Sequence, residues 1–189
     1  DIYTKIANEL GILKKSDDYY CRHPLVYMVE AADDICYQIM DIEDAHKLKI
    51  IDTPTTISLL TGCFDEERVE HMNHVMSEID DRNEKVAYLR SCAIGTLVAE
   101  CAKAFIDNEQ QILAGKFQGS LIQHISAQPR KGYDACTELA YAKIYCANDV
   151  VDIELAGNQI ITFLLNRLIE AVRFPERTYS TLLLRRVPT

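Results

Sequence analysis

Ile2, Ile6 and Leu10 recur at helical spacing and predict a helix over residues 2–13. Pro24 suits a first helical position and opens a long second helix that runs to about Lys49. Thr53 and Pro54 start a third, ended by Gly62. Asp65, followed by Glu66 and Glu67, reads as a capped N-terminus with acids in its first turn, and the pattern persists to about Asp81. Asn83 is then expected to cap a run through Phe105. Residues 115–132, with Gly115, Gly119, Pro129 and Gly132, read as an irregular excursion anchored by Leu121, Ile122 and Ile125. Helices over about 134–147 and 150–173 follow, and Phe174-Pro175-Glu176-Arg177 breaks the chain before a short final segment. No segment alternates with the period of a strand over a useful length, and there is no internal repeat or low-complexity linker. The expected fold class is all-α.

Composition supports that picture. Seven glycines and five prolines in 189 residues are scarce, which favours helices with short connections. Hydrophobic residues make up 48% and charged ones 26%, enough for a sizeable core in one unit spanning 1–189. The net charge of −9 argues against a broad basic footprint for nucleic acid or an anionic membrane. Apolar runs last only a few residues, so no membrane span is expected, and nothing at the N-terminus is ordered like a signal peptide. Seven cysteines occur singly, with no C-x-x-C pair, and read as reduced thiols of a cytoplasmic protein, most of them small core residues. Met28 and Met40 are core by default. The chain starts at Asp1 and stops at Thr189 without a closing feature, and is expected to be a piece of something longer.

Candidate chemistry concentrates on the second helix. Residues 30–44 hold six acids, Glu30, Asp33, Asp34, Asp41, Glu43 and Asp44, and no base. Like charges three or four apart repel by a few tenths of a kcal/mol per pair, so something positive should compensate. At ~100° per residue, Asp33, Tyr37 and Asp41 share one side, with Val29, Ala32, Cys36 and Ile39 expected on the core side. One reading is a solvated acidic face. The other is a carboxylate metal ligand at Asp33 with polar groups one and two turns beyond, leaning back toward whatever it holds.

The blocks Arg22-His23-Pro24-Leu25, Val29-Glu30-Ala31-Ala32-Asp33-Asp34-Ile35-Cys36-Tyr37 and Asp41-Ile42-Glu43-Asp44-Ala45 resemble the deoxyguanosinetriphosphate triphosphohydrolase-like branch of the HD-domain phosphohydrolases. Lys85-Val-Ala-Tyr88-Leu-Arg90-Ser-Cys-Ala93-Ile94 and Glu154-Leu-Ala-Gly157 are similar to the same branch. The resemblance implies a helical HD-domain-like phosphohydrolase that converts a dNTP, with dGTP the expected one, to deoxynucleoside and tripolyphosphate. It also implies one divalent metal, magnesium or manganese, held by a His, a His-Asp pair and a final Asp that matches Asp33. Tyr37 then matches a ring against the deoxyribose and Asp41 a carboxylate at the 3′-hydroxyl. The other ligands precede the Arg22 block in the family, and no His-Asp dipeptide occurs in this sequence. A further helical motif past Val187-Pro188 is also missing, so the chain is expected to be a C-terminal portion truncated at both ends. Residues 1–105 would belong to the nucleotide site and 106–189 to a C-terminal helical region, with no catalytic acid or base assigned here. The expected partners are a deoxynucleoside triphosphate and further copies in a homo-oligomer, without membrane or nucleic acid.

Other groups have rival uses. Tyr88 and Arg90 are candidate substrate contacts, since Arg can grip a phosphate with two hydrogen bonds, or Arg90 can answer the acidic stripe with a salt bridge. Glu67, Glu70, His71, His74 and Glu78 have the spacing of iron or zinc ligands, but a di-iron bundle needs a second such motif. His23 is expected to serve the helix entry, and His46 and His124 have no assigned role. The rival to an enzyme is a helical oligomerisation or regulatory module without chemistry.

Overall fold

The structure, a computed structural model, describes residues 2–16 and 19–187. In chain order the helices are α1 (Ile2–Glu9), α2 (Pro24–Lys47), α3 (Thr53–Thr61), α4 (Glu66–Ser77), α5 (Arg82–Asp107), α6 (Glu109–Leu113), α7 (Ala127–Leu139), α8 (Asn148–Arg173) and α9 (Thr178–Leu184). A 3₁₀ turn, Leu121–His124, precedes α7, and a π-helical turn, Ala140–Ile144, follows it. The fold is all-α; among the described residues the sole β-type pairing is an isolated bridge between Lys14 and Tyr20. No helix among them is long and apolar enough to cross a membrane. The backbone divides into two compact units, Asp1–Ile144 and Tyr145–Thr189.

Local chemistry explains most helix ends. His23 Nδ1 accepts from the Leu25 N–H at 3.2 Å, so this histidine caps α2 with Pro24 at the first helical position. Asp52 caps α3 and Asp65 caps α4, each accepting one N–H at 2.9 Å. At α5 the cap is Asp81 rather than Asn83: its carboxylate accepts from both Asn83 and Glu84 N–H groups, at 2.8 and 2.9 Å. A charged acceptor two positions upstream displaces the neutral one. The region read as an irregular excursion is helical from Ala127. Pro129 lies in the first turn of α7, where its missing N–H costs nothing, and Gly132 lets the helix close onto the Cys63 backbone, where a Cβ would collide.

The core of the first unit lies between α2 and α5. Ile35, Ile39 and Ile42 of α2 and Val86, Leu89, Ala93 and Leu97 of α5 are buried in one cluster. The buried stripe of α2 is therefore Tyr27, Ala31, Ile35, Ile39, Ile42 and Ala45, and not the Val29, Ala32 and Cys36 face; of the four residues expected inside, Ile39 alone is there. The helix is turned by about one residue, ~100°, because branched isoleucines fill the α5 groove better than Ala32 and Cys36 do. Met28 and Met40 lie partly exposed with that outer face. Of the seven cysteines, all unpaired thiols, Cys63, Cys101 and Cys136 are buried, fewer than expected. Burial pushes their thiols up, Cys136 to about 12.

In the second unit α9 packs on the end of α8, burying Ala171 and Ser180. Glu170 ties the pair by accepting from Arg167 at 3.1 Å and from Arg177 at 2.8 Å.

Candidate functional site: the outer face of α2

Core packing fixes the rotation of α2, and that rotation decides which acids reach solvent. Asp33 is exposed, Tyr37 is 65% exposed, and Asp41 is half-buried beside them. Tyr37 and Asp41 line a shallow open depression of about 300 Å³ with Cys36, Met40 and Asp44. Asp34 turns inward, and its backbone carbonyl faces the Tyr133 hydroxyl at 3.5 Å. Partial burial raises the Asp34 carboxyl above its usual range, and Glu30 and Asp33 add to the effect. The Tyr133 hydroxyl is pushed up to about 12 by burial and then by Asp34.

Positive charge meets the stripe at its two ends. At the N-terminal end Arg22 reaches Glu30 at 2.8 Å, with its guanidinium 4.5 Å above the Tyr27 ring. At the C-terminal end Glu43, nearly buried, takes Lys47 at 3.2 Å and Arg90 at 3.3 Å, and Lys47 also reaches Asp44 at 3.3 Å. None of the ion pairs among the described residues reaches Asp33 or Asp34. Arg90 thus engages the stripe ten residues from Asp33, a rise of about 15 Å. Tyr88 faces Cys92 and Arg68, and partial burial with the Cys92 contact raises its hydroxyl. Asp33, Tyr37 and Asp41 share one face of α2, whereas Arg90 is held at Glu43 and Tyr88 lies by Cys92 and Arg68.

Two contacts were beyond the reach of helical spacing. Arg22 precedes the α2 cap, so no i,i+4 rule pairs it with Glu30. Thr137 of α7 donates to buried Gln38 at 2.9 Å across nearly a hundred residues of sequence.

Among the described residues no three His, Cys, Asp or Glu side chains gather to hold a metal. His71 and His74 stand exposed on α4, outside any such group. His46 meets the Thr53 hydroxyl at 2.9 Å, and His124 meets the Gln118 carbonyl at 3.0 Å. Asp33 stands outside any such group among the described residues.

No family model matches the chain. Curated proteins do. A "Deoxyguanosinetriphosphate triphosphohydrolase-like protein" of Pseudomonas aeruginosa (strain LESB58) is 32% identical over 162 residues, 86% of this chain and 36% of that protein. This chain is a homologue of the deoxyguanosinetriphosphate triphosphohydrolase-like proteins. One from Synechocystis sp. is 31% identical over 91% of the chain and 38% of its own length. A "Deoxyguanosinetriphosphate triphosphohydrolase" of Salmonella arizonae is 29% identical over 78% of the chain and 31% of its own length. The chain spans about a third of the triphosphohydrolase-like relatives it matches.

Proposed function

We propose that these 189 residues are the C-terminal helical portion of an HD-type, metal-dependent dNTP triphosphohydrolase acting on dGTP. Water attacks the α-phosphorus, the bond from phosphorus to the 5′-oxygen breaks, and the products are deoxynucleoside and tripolyphosphate. The observation that carries the reading is the set Asp33, Tyr37 and Asp41, spaced by four along the open face of α2. The names of the relatives supply the reaction class. A magnesium or manganese ion bound at Asp33, with its remaining ligands from outside this chain, would act as a Lewis acid and lower the pKa of its water. This chain's own residues bind and orient: Tyr37 packs its ring against the deoxyribose, and the Asp41 carboxylate accepts the 3′-hydroxyl hydrogen bond.

The test is Asp33→Ala in a protein of the relatives' full length. Metal content and dGTP hydrolysis should both fall below a hundredth of the parent's, with helix content unchanged by circular dichroism. Unchanged metal content in that variant would overturn the assignment.

A further inference from the structure

Within the second unit α9 packs only on the C-terminal end of α8, around Ala171, and leaves most of the longer helix uncovered. The two sides of α8 are unlike. At ~100° per residue, Ile153, Gly157, Ile160, Ile161, Leu164 and Leu168 share one side. Ile153, Ile160, Ile161 and Leu164 are each exposed by half or more. The other side is satisfied within the unit: Arg167 lies 5.2 Å over the Phe163 ring and bonds Glu170, which also takes Arg177. That side suits water, and the apolar stripe does not.

Gly157 marks the stripe as a contact surface. A glycine inside a helix weakens it, and this one serves no packing within the chain, since a Cβ there would meet nothing within 4 Å. It leaves a notch in the middle of the stripe where another helix can come close.

Charge indicates which helix fits. The first two turns of α8 hold Asp149, Asp152 and Glu154 and no base, whereas the last two hold Arg167 and Arg173, with Glu170 already engaged. No ion pair among the described residues reaches Asp149, Asp152, Glu154 or Arg173. The helix is therefore complementary to its own reverse. In an antiparallel pair the acidic end of each copy lies beside the basic end of the other, and the helix dipoles are opposed favourably. Full overlap of the two helices sets Gly157 of one copy opposite Leu164 of the other, and Ile160 opposite Ile161, so a branched side chain meets each notch. The area suffices as well. A helix of 26 residues is about 39 Å long. Covering roughly a third of its wall removes about 500–600 Å² per copy, on the order of 1,000–1,200 Å² for the pair, the low end of specific interfaces.

We propose that the apolar stripe of α8 is a self-association surface: it pairs antiparallel with the same stripe of a second copy of this chain, with Leu164 of each copy seated at Gly157 of the other.

The test is sedimentation of the 189-residue chain from about 100 µM downward by serial dilution, a range that brackets a micromolar Kd. The mass should approach twice the 21.5 kDa of one copy at the top of the range and fall to one copy at the bottom. Leu164→Asp places a charge in the apolar seam and should raise Kd at least tenfold. Gly157→Leu fills open space in a single copy, so the dilute monomer should melt no lower than the parent, while Kd rises at least tenfold. Glu154→Lys should weaken pairing several-fold at low salt, because it sets a base beside the basic end of the other copy. In a parallel pair Lys would meet Lys as Glu meets Glu, and Kd would not move. Circular dichroism establishes that each variant keeps its helices. A parent that stays monomeric at the highest concentration overturns the pairing; if Leu164→Asp then lowers the melting temperature, the cover of the stripe lies within the chain. A dimer whose Kd stays within twofold in both Leu164→Asp and Gly157→Leu overturns the surface. A dimer indifferent to Glu154→Lys overturns the antiparallel order.

Discussion

Tyr37 tests the proposed enzyme at the scale of one ring. It is mostly exposed, so its removal should cost the fold little, and any effect on selectivity is readable. A ring packed against C2′ leaves a ribose hydroxyl without room or partner, a penalty of about 1–3 kcal/mol, or roughly 5- to 150-fold. In the longer protein Tyr37→Ala should narrow the dGTP-over-GTP preference in kcat/KM by that order. Asp41→Ala should weaken substrates with a 3′-hydroxyl and spare a 3′-deoxy analogue. A dGTP/GTP ratio unmoved by Tyr37→Ala would remove the sugar role and leave an ordinary surface tyrosine. The common face of these residues was legible because it follows from helical geometry alone, whatever packs behind the helix. The partners of Glu30 and Gln38 were not, since Arg22 and Thr137 reach them across a cap and from a distant helix.

At the scale of elements, the cap by Asp65 could be read from sequence, because an acid just before a helical pattern meets the free N–H groups of the first turn. The rotation of α2 could not. Val29, Ala32 and Cys36 form an apolar stripe of their own, and the choice between the two depends on the surface of α5. Nor could the attachment of α7. Glu100 of α5 accepts from the Ser126 N–H at 2.9 Å, just ahead of α7, and that bond lowers the carboxyl below the usual glutamate range. A lowered folded-state pKa means the carboxylate's stabilisation is present above the ordinary glutamate value and is lost as pH falls through the lowered one. Glu100→Ala should therefore cost about 0.5–1 kcal/mol near neutral pH, a charged hydrogen bond discounted for its partial exposure. The difference from the parent should vanish in acid, below the lowered value. Urea melts at neutral and acidic pH check this, and an equal gap at both would mean that Glu100 acts by packing.

For the whole molecule, the all-α class followed from scarce glycine and proline and from the helical period, while the division near Ile144 left no mark in the sequence. The segment around it, Ala140–Ile144, is a π-helical turn, and nothing in its residue types distinguishes it from the helix before it. The same scale decides what this chain can do unaided. Its acidic face has Asp33 at the proposed metal position, and no group of three possible ligands gathers there among the described residues. A single exposed carboxylate holds a divalent ion weakly, because the ion keeps most of its water and gains one charged contact. Catalysis by such an ion needs several fixed ligands as well as an open position. The 189-residue chain with dGTP and manganese should therefore release no tripolyphosphate above the rate without protein, whereas a protein of the relatives' full length should do so readily. Assaying both preparations side by side, with an Asp33→Ala control to expose contaminating hydrolases, decides the matter. Turnover by the short chain that disappears in its own Asp33→Ala variant would show that Asp33 works with ligands already within these residues.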